Sequence, residues 1–250
     1  DMRLQGQTWT TFMKMSNINF DFTDKTVIVF GGSRGIGRET CRQFQIAGAN
    51  VYCASRTPPE LPGVEHLYCD ITFPRDIREV FDTVGNIDFV INVAGTNLCK
   101  SIENIDLLEW DRLMNTNLRS FFVICKRAVE EMRPKGGRIV NVSSIAGRSK
   151  SVVSGVHYTS SKYGIVGLTK QLASEVSQHN ILVNCVCPSQ TLTEMLAKSM
   201  TEEQLCDLAE KIPVRRVALT IEQALPILFL CSDAASYITG TALDINGGQF

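Results

Sequence analysis

The chain has 250 residues, 44% of them hydrophobic and 20% charged, and 25 Lys+Arg against 26 Asp+Glu leave a net charge of −1. A chain of this length buries an ample core without disulfides or metal, and a near-neutral balance with no Lys/Arg block excludes a generic nucleic-acid binder. The longest apolar runs, Phe121–Cys125 and Ile227–Cys231, fall far short of the roughly 18–20 residues that a membrane-spanning helix needs.

Residues 1–20 lack the continuous apolar core and cleavage site of a signal peptide, and are read as a partly disordered extension of a single domain over 21–250. From there strands and helices alternate. The β-branched run Thr26–Phe30 predicts a strand, a glycine-rich turn follows, and Ile36–Ala47 predicts a helix stopped by Gly48. Asn50–Ala54 and His66–Cys69 are predicted strands, then a helix over about 75–83, a strand over Ile87–Val93 and one long helix over about 107–132. Gly137–Ser143 predicts a strand, His157–Ser177 a helix, Ile181–Cys187 a strand, Ile221–Cys231 a helix and Ala242–Ile245 a last strand. Strands apolar on both faces and separated by helices predict an α/β fold, a doubly wound parallel sheet of Rossmann-like type with helices on both faces.

Nine cysteines are present, Cys41, Cys53, Cys69, Cys99, Cys125, Cys185, Cys187, Cys206 and Cys231, with no C-x-x-C pair. Cys185 and Cys187 point to one face of a strand. With only His66, His157 and His179 as nitrogen partners, no metal site is expected, and the thiols read as reduced side chains of a cytoplasmic protein.

Three groups of residues carry chemistry. The first is the turn Gly31-Gly32-Ser33-Arg34-Gly35-Ile36-Gly37, set between a strand and a helix. Glycines there let the backbone approach a pyrophosphate, and the helix start offers unpaired N–H groups. The second lies at the end of the second strand, Ala54-Ser55-Arg56. A carboxylate at that place would bind a ribose 2′-hydroxyl; its absence, with Arg56 and Arg34 able to pair a 2′-phosphate, favours NADP(H) over NAD(H). The third is Tyr158-Thr159-Ser160-Ser161-Lys162. A tyrosine and a lysine four apart share a helix face. The lysine charge is expected to draw the phenol pKa down from about 10 towards neutrality, giving a proton donor for a carbonyl or an acceptor for an alcohol. Ser143-Ser144 end a predicted strand at the crevice where doubly wound sheets bind ligands. Asn92-Val93-Ala94-Gly95 ends another strand with room for a cofactor. Asn115-Thr116-Asn117 interrupts the long helix with residues that disfavour helix interiors.

In order, spacing and kind, these motifs resemble the short-chain dehydrogenase/reductase family over residues 24–248, with Asp70, Asn184…Pro188 and the C-terminal Tyr237-Ile238-Thr239-Gly240 and Asn246-Gly247-Gly248 in their expected places. The resemblance implies Tyr158 as general acid/base and Lys162 on the nicotinamide ribose. It implies Ser144 on the substrate oxygen, in preference to Ser143, and Asn117 on a relay water. It places Gly31, Ser33, Arg34, Gly35, Ile36, Gly37, Ser55, Arg56, Asp70, Ile71, Asn92, Ala94, Gly95, Pro188, Thr191 and Thr193 around the cofactor, Asp70 at the adenine and Thr193 at the carboxamide. Phe30 stands where the family usually has Thr, and Ser189 where it has Gly; a positive φ at Ser189 would be strained.

The expected activity is reversible NADPH-linked reduction of a small ketone or aldehyde, with a 3-oxoacyl-[acyl-carrier-protein] reductase as the alternative and a catalytically silent cofactor-binding regulator or scaffold as a third reading. The substrate pocket is expected along Arg148–His157, Thr96–Leu98 and Thr191–Arg215, where Arg148, Lys150 and His157 suit an anionic or polar substrate. Arg133, Lys135 and Arg138 offer a surface to an acidic carrier protein. The resemblance also implies a homotetramer, and no nucleic-acid or membrane partner is expected.

Overall fold

The computed structural model describes residues 19–151, 153–194, 196 and 201–250. The expected N-terminal extension therefore lies outside the described residues except for its last two positions. Phe20 belongs with the domain: its ring stacks on Phe22 at 5.9 Å, and Phe22 packs on Phe44 and Phe89, each at 5.2 Å.

Seven strands form one parallel sheet: β1 (Thr26–Phe30), β2 (Asn50–Ser55), β3 (Glu65–Tyr68), β4 (Phe89–Asn92), β5 (Gly137–Val142), β6 (Ile181–Pro188) and β9 (Ala242–Ile245), in the order β3-β2-β1-β4-β5-β6-β9. Two short segments, β7 (Thr191–Leu192) and β8 (Ala218–Leu219), pair apart from it. The pleat sorts the apolar residues between two cores. Ile28 and Phe30 pack with α2 (Pro74–Val84), α4 (Ser120–Met132) and α5 (Val156–Val176), while Val27 and Val29 pack on the opposite face with α1 (Gly35–Ile46) and α7 (Thr220–Cys231). This is the single-domain α/β sandwich that the sequence predicts. Phe30, standing where a hydroxyl was expected, is fully buried against Phe81, with ring centroids 5.7 Å apart. Cys185 and Cys187 do share one face, packed on Val166 of α5.

Two elements depart from the sequence reading. The long helix predicted over 107–132 is α3 (Leu107–Met114) and α4 separated by a π-helical turn over Asn115–Arg119. The poor helix formers Asn115, Thr116 and Asn117 sit where the extra residue is accommodated. A helix absent from the prediction, α6 (Glu202–Glu210), starts at Thr201 with a capping box closed by Gln204, a signal visible in the sequence. Among the described residues no helix is long and apolar enough to cross a membrane.

The chain runs from β1 towards β2 and β3 on one side and reaches β4 on the other. The crevice above the carboxyl ends of β1 and β4 is therefore the topological switch point, where such sheets bind ligands.

Candidate active site

Backbone approach at this crevice is close. The amides of Val93 and Ala94 both donate to the Phe30 carbonyl, at 2.9 and 3.0 Å, which brings the loop after β4 against the glycine turn. Gly31 has φ +87°, and a Cβ there would sit 2.6 Å from the Ala94 backbone. At Gly37 a Cβ would sit 2.2 Å from the Gly31 carbonyl oxygen. These glycines shape a cradle that any side chain would fill, at the N-terminus of α1, where no side chain caps the helix. Its free N–H groups and partial positive charge suit a phosphate. Gly37→Ala is therefore expected to lower cofactor affinity by at least about tenfold, the overpacking penalty of a rigid site, with the thermal midpoint reported alongside the titration; unchanged affinity in a folded variant would remove this cradle as the binding site.

Around it, Ser33 and Ile36 are half-exposed, and Arg34 and Arg56 are exposed. Among the described residues neither arginine enters an ion pair with an acidic side chain. Ser55 donates to the Thr57 carbonyl at 2.6 Å and shapes the bend that carries Arg56. One oxygen of Asp70 accepts from the Thr72 amide and hydroxyl, at 3.0 and 2.8 Å, which fixes the turn after β3. Thr193 rests 3.2 Å from a Cβ position on Gly35, so the segment after β6 closes over the glycine turn. Pro188 ends β6 and is buried beside Ile245 of β9.

Two of the expected cofactor contacts do not present side chains to the crevice. Ile71 is a core residue, packed with the α2 cluster, because the position after Asp70 points inward. Asn92 is wholly buried and donates to Asn141 at 2.8 Å. Its partner Asn141 in turn donates to Thr169 at 3.0 Å, so Asn92 joins a polar chain that ties β4 and β5 to α5. Ser189, where a positive φ would be strained, is not among the residues of positive φ.

The π-turn gives Asn117 its role. The widened turn carries its side chain inward to zero exposure, where Nδ2 donates to the Thr96 carbonyl and Oδ1 accepts from the Thr96 amide, both at 2.8 Å. Nδ2 also reaches Ser161 Oγ at 3.3 Å. Ser161, which sequence reasoning passed over, donates in turn to the Tyr158 carbonyl at 2.7 Å. A Cβ at Gly95 would lie 3.5 Å from Asn117 Oδ1 and 3.7 Å from Lys162 Nζ, so the loop after β4, the π-turn and α5 converge on one point.

The two serines after β5 divide their tasks. Ser143 donates to the Lys162 carbonyl at 2.8 Å and pins the strand to α5. Ser144 lines the cleft, where its hydroxyl accepts from the Ala146 amide at 3.1 Å and hydrogen-bonds the Tyr158 phenol. Lys162 is buried, donates to the Val142 carbonyl at 3.0 Å and lies 5.6 Å from the centre of the Tyr158 ring.

The expected lowering of the tyrosine pKa is not what this arrangement produces. Burial pushes Tyr158 above the ordinary phenol value, and the Ser144 hydrogen bond opposes it only in part. Burial also takes Lys162 down to about 8. Desolvation disfavours the charged form of both groups, and at Tyr158 it outweighs the Ser144 hydrogen bond.

Beside Tyr158 lies a cleft of about 610 Å³, within the range of small-molecule sites. Asn97, residues 149–151, 153 and 154, Thr191, Thr193, Leu196 and Leu208 line it, as expected, together with Gln190, Gln249 and Phe250, which no local signal marked. Two of the three basic side chains expected there point elsewhere. Arg148 forms a two-pronged ion pair with Asp244, at 3.0 and 3.1 Å. His157 is buried with Nε2 3.4 Å from the Glu109 carboxylate, and Glu109 also pairs with Lys100. The basic trio Arg133, Lys135 and Arg138 sits at the start of β5, the opposite end of the sheet from the cleft, and Lys135 pairs with Asp88. A carrier protein docked there would not present its cargo to Tyr158 of the same subunit.

Comparison with known proteins agrees with this geometry. A family model described as enoyl-(acyl carrier protein) reductase matches residues 31–249. The chain is 34% identical over 243 residues to the 3-oxoacyl-[acyl-carrier-protein] reductase FabG of Aquifex aeolicus, a match covering 90% of this chain and 97% of that protein. Its backbone superimposes with a TM-score of 0.85 on ligand-free aldohexose dehydrogenase of Thermoplasma acidophilum, 31% identical, covering 91% of this chain and 94% of that one. It superimposes with a TM-score of 0.84 on ElxO solved with NADP bound, 27% identical, covering 90% and 98%. The chain belongs to the short-chain dehydrogenase/reductase family.

Proposed function

We propose that this protein is an NADP(H)-dependent oxidoreductase that interconverts a ketone or aldehyde with its alcohol. The observation that carries the reading is the convergence of Asn117, Ser144, Tyr158 and Lys162 beside a glycine cradle that a cofactor pyrophosphate would fill. When bound, the nicotinamide supplies or accepts the hydride. Arg34 and Arg56 hold the 2′-phosphate, and Lys162 engages the nicotinamide ribose. Ser144 donates a hydrogen bond to the carbonyl oxygen, where negative charge grows, and Tyr158 delivers the proton to that oxygen. Asn117, anchored by Thr96, holds the water through which the proton is replaced. An intact set of this kind speaks against a silent regulator. Similarity to a 3-oxoacyl-[acyl-carrier-protein] reductase favours an acyl thioester as the second substrate reading.

The test is oxidation of NADPH, followed by its absorbance, against a carbonyl panel of 3-oxoacyl thioesters, diketones, quinones, sugars and steroid-like ketones, with NADH in parallel. Turnover identifies the substrate class, and silence with NADPH bound would sink the enzyme reading.

Direction and pH are linked. Tyr158, held above the phenol range, keeps its proton at neutral pH and serves reduction. Reduction is expected to stay level through neutrality and to fall as the pH passes about 8, where Lys162 loses its charge. Alcohol oxidation, which needs Tyr158 to give up its proton, is expected to rise through the alkaline range. Paired kcat/KM profiles decide this, and a reduction profile that climbs with pH contradicts a proton-donating Tyr158.

The protein is further proposed to act in the cytoplasm, with nine unpaired cysteines suited to a reducing compartment, and as a homotetramer. Leu107, Leu108, Phe122 and Tyr163 stand exposed on α3–α5, an apolar face that a second copy would cover. Light scattering reads the assembly directly.

A further inference from the structure

Most residues lining the cleft beside Tyr158 have neutral polar side chains, although the surface they present is more apolar than polar, and among the described residues that line it the one charged side chain is Lys150. Neither Asp nor Glu is among those lining residues. Lys150 sits in the segment between the Ser144 turn and α5, and among the described residues it enters no ion pair. Its neighbour Arg148 is neutralised by Asp244, and His157 is turned inward to Glu109. Lys150, exposed at the cleft, is therefore the basic side chain of this segment left to act on a bound molecule. Hydroxyls and an amide, from Ser149, Ser151, Ser154 and Gln190, line the same cleft and accept or donate without adding charge. Val153, Leu196 and Leu208 supply apolar lining to the same cleft.

We infer that the substrate is a small carbonyl compound bearing an anionic group, a carboxylate or a phosphate, which Lys150 recognises while the carbonyl meets Ser144 and Tyr158. This rests on the oxidoreductase reading and adds the charge of the substrate to it. A positive charge in a cleft lined by no Asp or Glu side chain attracts an anion and holds it by charge-assisted hydrogen bonds. Neutral hydroxyls of the same cleft can supply further hydrogen bonds in place of the anion's water shell. An ester or a thioester at the same end leaves the ammonium without its counter-charge.

The experiment uses matched pairs: a short 3-oxo acid against its methyl ester, and a phosphorylated hydroxyketone against the unphosphorylated one. The wild type is expected to favour the charged member of one pair by at least about tenfold in kcat/KM, and which pair does so separates carboxylate from phosphate. Lys150→Gln is expected to collapse that ratio through KM, and Lys150→Arg to keep it. Preference for the ester or a thioester, or a ratio that Lys150→Gln leaves unmoved, overturns the inference. If no carbonyl is turned over while NADPH binds, the oxidoreductase reading fails by itself. The anion site is then judged by calorimetric titration of butanoate and glycerol phosphate into the NADPH complex. Weakening by at least about tenfold in Lys150→Gln supports the site, and equal or absent binding in both proteins overturns it.

Discussion

Tyr158→Phe is expected to reduce carbonyl turnover by at least about a hundredfold while leaving NADPH affinity nearly unchanged, the signature of a group used in proton transfer and not in binding. The substitution removes one oxygen. The ring keeps its place on α5, 5.6 Å from Lys162 Nζ, and the cradle formed by Gly31, Gly35 and Gly37 is untouched. Ser144 loses its phenol partner but retains the Ala146 amide, so little destabilisation is expected. Single-turnover kinetics with a cofactor titration on the same preparation check both halves. Retained turnover would mean that another group supplies the proton, and Ser144 would be the next to replace.

Arg56→Asp is expected to reverse the cofactor preference, lowering kcat/KM with NADPH by about a hundredfold and raising it with NADH. The first effect follows from losing a charge-assisted pair with the 2′-phosphate and adding a repulsion; the second from a carboxylate at the end of β2 that accepts the ribose 2′-hydroxyl. Arg56 is exposed and enters no ion pair with an acidic side chain among the described residues, so the fold does not depend on it. Arg34→Ala in the same background separates the two arginines. A preference that does not move would mean that neither arginine reads the phosphate.

Much of this was legible in the chain itself. The strand Thr26–Phe30, the turn at 31–37 and the helix behind it declare themselves by β-branched apolar residues followed by glycines, because a close backbone approach excludes every larger residue. Tyr158 and Lys162 meet through local geometry alone, being one turn apart on a helix. Where neighbours distant in sequence decide, the reading falls short. Ile71 lies next to Asp70, yet the packing of α2 against the sheet takes its side chain into the core. Asn92 looks like a cleft residue until Asn141, 49 positions away, supplies its partner. Arg148 cannot be distinguished from Lys150 until Asp244 is brought against it by β9.

The sequence by itself therefore determined the alternating fold, the glycine turn between β1 and α1, and the helix face that Tyr158 and Lys162 share, because those depend on periodicity and short spacing. Only the tertiary structure decided that Asn117 turns inward on a π-turn, that Ser143 is a strut while Ser144 faces the cleft, and that Arg148 is paired and His157 buried while Lys150 lines the cleft. Each of these rests on a hydrogen bond or ion pair between residues far apart in the chain, and such pairs exist only once the sheet and its helices have closed on one another.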